Sequence, residues 1–446
     1  MEGALVELTI GPIAHGGHCV SRDGAGRVFF VRHALPGERV RAVVTEEHGS
    51  YLRADAVQIL AASPHRVEPP CPYAGGAGRD VRRGRPCGGC DLQHAGLEYQ
   101  RELKTAVVRE QLLRLGGLDE STVDRLNPTV RPVPPVPGQP DGQGWRTRVQ
   151  YTVDSTGRAG LLAHRSHEVV AVDRCLIAHA AVRGADVLAR SWPEHDASSE
   201  PEQRAPASPA TTRRHVVEVV AGCAGEATVL ARRDGATPIV VAGPDTVTER
   251  AGGRVWRLPP TAFWQVHPSA ADTLTADVAE LLAPRPGDRI WDLYGGAGLF
   301  AAVLAPRATS TGRVSVVESD AVAVAAAREN LRDLTTVTIV HSDVARALAN
   351  PRWRAVDIVG GRSVGGVDIV VLDPPRTGAG AAVVAAVAAR SPRAVAYVAC
   401  DPAALARDVR TFGSHGYELA ALRAYDLFPH THHVECVALL ARRDNN

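Results

Sequence analysis

Up to about residue 62 the chain alternates short apolar stretches, LVELTI, RVFFVRHAL, ERVRAVV and AVQIL, with glycine-rich turns. Strands of that length and spacing predict a small all-β barrel. The period then changes: Leu103, Val107, Leu112 and Leu115 recur near helical spacing, and Gly116–Gly117 stop the run, so a helix is expected at about 96–117. The stretch 127–141, NPTVRPVPPVPGQPD, reads as an extended linker. β-type patterns return in WRTRVQYTVD, AGLLAHR, EVVAVD, RHVVEVV and TPIVVAG, interrupted by residues 191–214, which are poor in bulky apolar side chains and read as a disordered loop.

From about 255 onward, strand patterns (RIWDLY, RVSVVES, TVTIVHS, VDIVVLD, AVAYVAC and VECVALLA) alternate with alanine-rich helical ones. That alternation predicts a mostly parallel, Rossmann-like sheet with helices on both faces, and ligands beyond the carboxyl ends of its strands. Three regions are therefore expected: a β-barrel at 1–62, a β-rich region at 63–254 and an α/β domain at 255–446, with the helix at 96–117 packing on the last. The longest apolar run, Ala379 to Ala389, is too short to span a bilayer and reads as a buried helix. MEGALVELTI has no basic stretch followed by an apolar core, so a cytoplasmic location with no membrane partner is expected.

Composition adds little to class but something to partners. Hydrophobic residues make up 45% and charged residues 22%, as in ordinary globular chains. Fifty Lys plus Arg stand against 49 Asp plus Glu, and Lys104 is the one lysine. This balance argues against strong sequence-blind binding to phosphate backbones but allows local arginine patches. Residues 79–85 are one such patch, with Arg79, Arg82, Arg83 and Arg85.

Candidate chemistry gathers at the predicted strand ends. WDLYGGAGLF sets a glycine turn after a strand, with Gly296 and Gly298 opening the next helix. The next strand ends in Glu318, where a carboxylate can accept the ribose hydroxyls of an adenosine cofactor. The third ends before Asp343, which can meet an adenine amino group. Each acid taken singly also reads as a helix cap. The pattern fits NAD or S-adenosylmethionine. VVLDPPRTG favours the second, because a rigid Asp373-Pro374-Pro375 loop suits holding a base beside a transferable methyl group. Cys400 is a candidate nucleophile, with Arg376 and Arg407 as activating neighbours. Glu435 is a candidate general base. Phe263, Trp264 and Phe428 are candidate stacking partners for a base or members of the core.

Eight cysteines are too few for a disulfide scaffold. Cys71, Cys87 and Cys90 cluster, and the Cys-Gly-Gly-Cys pair suggests a metal or cluster site. Zinc and iron–sulfur both accept four thiolates, and spacing does not choose between them.

Together these residues resemble the S-adenosylmethionine-dependent RNA uracil-5-methyltransferases over nearly the whole chain. Residues 1–62 look like the TRAM barrel, an OB-like RNA-binding module. Cys71, Cys87, Cys90 and Cys175 match the family's 4Fe–4S ligands. FWQV matches the segment whose glutamine, Gln265, sits at the cofactor–uracil site. The family's cofactor positions fall on Tyr294, Glu318, Asp343 and Asp373, and DPPRTG, Cys400-Asp401-Pro402 and FPHTHHVE complete the match.

The resemblance implies Cys400 as nucleophile, Glu435 as base, and S-adenosylmethionine and a 4Fe–4S cluster, rather than zinc, as cofactors. It implies an RNA substrate, with 23S rRNA ahead of tRNA. A monomer is expected. The sequence departs from the family in three places. Fifteen residues separate the first two cluster cysteines where a short gap is usual, Ala399 and Asp401 flank the nucleophile, and His267 replaces an asparagine. The rivals are an RNA cytosine-5-methyltransferase, disfavoured by Asp-Pro-Pro where those enzymes carry a cysteine, a non-catalytic RNA-folding factor, and a dehydrogenase.

Overall fold

A computed structural model describes residues 2–78, 84–192, 215–233, 235–350, 358–359, 362–363 and 366–443. Arg79, Arg82 and Arg83 of the arginine patch, and most of the loop expected at 191–214, lie outside the described residues.

The first sheet comprises β1 (Leu5–Thr9), β2 (Ile13–Ala14), β3 (His18–Arg22), β4 (Val28–Arg32), β5 (Arg39–Glu47) and β6 (Tyr51–Ala61), in the order β1-β5-β6-β4-β3-β2. Period-2 patterning builds it: Val40, Ala42 and Val44 of β5 are buried, while Arg39 and Arg41 face solvent. Its core includes Leu8, Phe29, Val31 and Leu52, and is closed by Leu103 and Val107 of α1 (Leu97–Arg114). The same helix turns Val108 and Leu112 into the core of the last domain, so α1 is shared by two cores.

After α2 (Glu120–Leu126) comes β7 (Val130–Arg131). The sequence reading treated this stretch as linker, whereas Val130–Arg131 pairs parallel with a strand of the last domain. The middle sheet holds β8 (Arg148–Val153), β9 (Ala159–Leu162), β10 (Val169–Val170), β11 (His215–Ala221), β12 (Ala227–Arg233) and β13 (Ile239–Ala242), with α3 (Ala180–Gly184) before β11. A hairpin of β14 (Val247–Ala251) and β15 (Arg254–Leu258) crosses the boundary expected at 254/255.

In the last domain α4 (Ala270–Leu282) precedes β16 (Arg289–Leu293), α5 (Leu299–Ala308), β17 (Arg313–Glu318), α6 (Ala321–Asn330), β18 (Val337–His341) and α7 (Val344–Ala349). A short hairpin, β19 (Ile358–Val359) and β20 (Arg362–Ser363), leads to β21 (Ile369–Leu372), α8 (Ala381–Ala388), β22 (Ala394–Ala399), α9 (Pro402–Ser414), β23 (Tyr417–Tyr425) and β24 (Glu435–Arg442). The sheet order is β18-β17-β16-β21-β22-β24-β23-β7. Its first five strands run parallel and β24 enters antiparallel to β22. Every residue of β21 and β22 is buried, as expected when helices cover both faces. Chain order reverses between β16 and β21, which makes their carboxyl ends the switch point where such sheets take ligands. No helix among the described residues is long and apolar enough to cross a membrane.

Candidate active site

The glycine turn after β16 is a sharp one. Tyr294 (φ +61°), Gly296 (φ +54°) and Gly298 (φ +89°) all adopt left-handed backbone. Gly298 caps α5, and a Cβ there would come within 2.4 Å of Leu331 Cδ1, so only glycine fits. The Gly296 N–H donates to Glu318 Oε2 (2.9 Å), tying the turn to the end of β17. Asp343 caps α7 by accepting the Arg346 N–H (3.0 Å). Asp292 is fully buried: its Oδ2 accepts the Ala301 N–H (2.9 Å), and its Oδ1 has no partner among the described residues.

Burial and the neighbouring Glu318 push the Asp292 carboxyl up to about 7, and burial with Asp292 and Glu318 does the same to Asp373. Three carboxyls therefore share the switch point, a setting that favours hydroxyl donors and a cationic ligand.

Across the sheet, β22 and β24 pair with Ala399 opposite Cys436. That register sets Cys400 across from Glu435 at the same carboxyl edge. Strand alternation sends Cys436 into the core. Glu435 is 4% exposed, and its carboxyl is held well above the usual range by burial and by Asp373, with Arg376 opposing. Burial pushes the Cys400 thiol up to about 12; Glu435 adds to the rise and Arg376 opposes it. Arg376 thus acts as expected on the thiol, but burial outweighs it. Asp401 caps α9 through Oδ1 to the Ala404 N–H (2.8 Å), and its Oδ2 pairs with His15 Nε2 (2.9 Å). The departure at 401 is therefore a contact with the first sheet's β2–β3 turn.

The loop between β23 and β24, which leads to the candidate base Glu435, is anchored from outside its domain. Lys104 is 1% exposed; its Nζ donates to Asp426 Oδ1 (2.6 Å) and the Phe428 carbonyl (3.1 Å). Gln100 Oε1 accepts the His430 N–H (2.8 Å). Asp91 bonds the His432 ring (2.7 Å) and accepts its backbone N–H (3.1 Å). On the other wall, Asp408 Oδ2 accepts from Tyr397 Oη (2.6 Å) and the Ala379 N–H (2.8 Å), fixing the end of DPPRTG.

Gln265 is half-buried in a segment held from β8. The Val266 carbonyl accepts the Thr147 N–H (2.9 Å), and Arg148 donates to the Ala262 carbonyl (2.8 Å). His267 is buried; its Nδ1 accepts the Ser269 N–H (3.1 Å) at the start of α4. Of the stacking candidates, Phe263 is 61% exposed, Trp264 packs on Trp256 (ring centroids 5.2 Å) and Phe428 on Trp145 (5.8 Å). Phe263 alone stands out toward solvent.

Cys71, Cys87, Cys90 and Cys175 line one cavity with an apolar wall that includes Val149, Leu161 and Ile177. The Gly89 N–H donates to Cys87 Sγ (3.4 Å), and backbone N–H groups of Tyr73 and Ala74 act on Cys71, those of Ile177 and Ala178 on Cys175. Among the described residues no three His, Cys, Asp or Glu are placed to hold a metal ion. The four thiols share that one cavity lining.

The profile of the tRNA (Uracil-5-)-methyltransferase family matches residues 247–443, and that of the TRAM domain matches residues 1–57. An RNA methyltransferase of Streptomyces avermitilis is 46% identical, covering 98% of both chains. The 23S rRNA (uracil(1939)-C(5))-methyltransferase RlmD of Alkalilimnicola ehrlichii is 32% identical, covering 98% of this chain and 96% of its own. The chain belongs to the RNA uracil-5-methyltransferase family. Among solved structures, the Pyrococcus abyssi tRNA (uracil-54, C5)-methyltransferase in complex with S-adenosyl-L-homocysteine shares the fold, with TM-score 0.64, 21% identity, and coverage of 97% of this chain and 99% of that one.

Within this family framework the sequence reading missed Asp91, His15, Lys104 and Asp408, all of which position site segments. Lys104 carried a signal, being the only lysine among fifty basic residues. Asp91 carried another, directly after Cys90.

Proposed function

We propose that this chain methylates C5 of a uridine in 23S rRNA through a covalent bond between Cys400 and C6. The observation that carries the reading is the β22–β24 register, which sets a half-buried thiol across from a buried carboxyl beside Asp373 and Arg376. The 32% identity to an enzyme named for 23S rRNA, against 21% to one named for tRNA, favours the ribosomal substrate.

S-adenosylmethionine supplies an electrophilic methyl group. Glu318, Asp343, Tyr294 and the Gly296–Gly298 turn would hold it, with Gln265 and Asp373 between it and the base. The orphaned Asp292 oxygen and the crowded carboxyls fit a ligand bearing hydroxyls and positive charge.

C5 of uracil is a poor nucleophile. Burial raises the thiol of Cys400 and the carboxyl of Glu435 alike. As sulfur bonds C6 and the thiol proton passes to solvent, the C5–C6 electrons shift toward O4, making an enolate whose C5 would take the methyl group while the sulfonium sulfur leaves with the bonding pair as a neutral thioether. Glu435, as carboxylate, then takes the C5 proton, the double bond re-forms, and sulfur departs with its electrons and recovers a proton, which returns Glu435 to the carboxylate. A carboxylate buried this way is a strengthened base. Holding thiol, base and C5 in line supplies much of the rate. The uridine leaves its stack at a cost of about a few kcal/mol, offset by contacts in the pocket, and Phe263 is placed to stack on a neighbouring base.

The cysteine cavity is assigned to a 4Fe–4S cluster held by Cys71, Cys87, Cys90 and Cys175. A single zinc ion draws its thiolates to about 2.3 Å from one point, whereas a cluster takes each thiolate on a separate iron. Four thiols spaced around a cavity fit the second case. Residues 1–62 then serve as the RNA-holding barrel, 63–254 as the cluster-bearing region and 255–446 as the methyl-transfer domain.

Mapping 5-methyluridine in total RNA with and without the gene tests the assignment. Loss at one 23S position is expected; loss confined to tRNA would move the substrate to the alternative class.

A further inference from the structure

A second polar cavity, of about 250 Å³, lies between the first sheet and the turn after β9, and the methyl-transfer chemistry does not use it. Arg32, Arg53, Arg85 and Arg165 line it with His18 and His164. Glu46 and Asp55 also line it, which leaves an excess of two positive charges.

Arg32 is the informative member. It is 8% exposed, its closest carboxylate is Asp55 at 3.9 Å, and its guanidinium has no hydrogen-bond partner among the described residues. Its N–H groups are therefore open to an incoming acceptor on the cavity side. Nearby, His164 Nε2 is buried with no partner. Burial and the surrounding arginines lower both His18 and His164 to about 4, so at neutral pH they present uncharged rings.

The cavity wall is closely packed. A Cβ at Gly88, between the cluster cysteines, would come within 2.5 Å of the His164 backbone nitrogen, so the cysteine loop and the turn are in close contact. Arg32 also lies within electrostatic reach of Asp91, whose carboxylate bonds His432 three residues before Glu435. The cavity is therefore within electrostatic reach of the carboxylate that holds the loop leading to Glu435.

We propose that this cavity binds a backbone phosphodiester of the RNA strand that delivers the uridine, an inference resting on the RNA substrate proposed above. Guanidinium forks match phosphate oxygens in pairs, and the carboxylates between them keep the site from acting as a general polyanion trap.

The test is binding of the full chain to a 23S rRNA transcript across a salt series, with Arg32→Met and Arg165→Asn. Arg165 is about half exposed and sits in left-handed backbone (φ +49°), which asparagine tolerates, so this variant keeps the fold. Each variant should weaken binding by roughly tenfold and reduce the slope of log affinity against log salt by about one. S-adenosylmethionine affinity should stay unchanged. Unchanged slopes in both variants, with wild-type methylation intact, would overturn the phosphate site alone. Thermal stabilisation by inorganic phosphate with unaltered RNA slopes would assign the cavity to a free anion and likewise overturn it. Failure of the wild-type chain to bind the transcript would remove the RNA reading and this inference with it.

Discussion

Four half-buried thiols cluster in one place and a fifth, Cys400, stands in another, and burial raises them, Cys87 to about 11 and Cys400 to about 12. Their surroundings differ. Around the four clustered cysteines, backbone N–H groups already point at sulfur and the nearest like groups are other thiols. Around Cys400 stand Glu435, Asp373 and Asp401, with Arg376 opposing them. On the cluster assignment proposed above, the first environment would hold permanent thiolates. In the second, on the proposed mechanism, the raised thiol would keep its proton until a substrate can take the electrons. Burial alone therefore says little about what a cysteine does; the charges facing it decide.

The sharpest break of this contrast is Cys400→Ala. Methyl transfer should fall by several orders of magnitude while S-adenosylmethionine binding persists, and retained turnover would put Cys400 with the structural thiols. Glu435→Gln should cost about 10²–10⁴ in turnover and leave a covalent RNA–protein adduct on denaturing gels. Because the Glu435 charge raises the thiol's pKa, removing it should move the pH profile of Cys400 alkylation toward lower pH; an unmoved profile would contradict the coupling. Cys175→Ala should strip iron and brown colour from anaerobically purified protein without shifting that profile, and stoichiometric zinc in the wild type would reject the cluster. The mildest change is His15→Ala, which removes the Asp401 partner but leaves the α9 cap. A loss of a few-fold in activity is expected, at about 1 kcal/mol for one exposed pair, and none would make that contact incidental.

Local pattern carried much of the architecture. The strands and glycine turn of the last domain are marked by alternation and by positions where only glycine fits, as at Gly298. Motif order placed Cys400 and Glu435 at strand ends, and pairing then did the rest. What stayed hidden depends on contacts hundreds of residues apart, which no window of sequence displays. Lys104 meets Asp426, Asp91 meets His432 and His15 meets Asp401. Strand β23 was missed because YELAALRAY lacks the continuous apolar run of its neighbours, and β7 because two paired residues sit inside a proline-rich stretch. His267 looked like a departure and is a buried ring that bonds the first turn of α4.

The central claim is that Cys400 bonds the pyrimidine before methyl transfer and Glu435 removes the C5 proton after it. A transcript carrying 5-fluorouridine tests this directly, because fluorine at C5 cannot be taken as a proton and the adduct has no exit. With S-adenosylmethionine present, the wild-type chain should form an RNA–protein band that survives denaturation, maps to Cys400 and is absent from Cys400→Ala. The same band from the alanine variant, or none from an active wild type, would contradict the account.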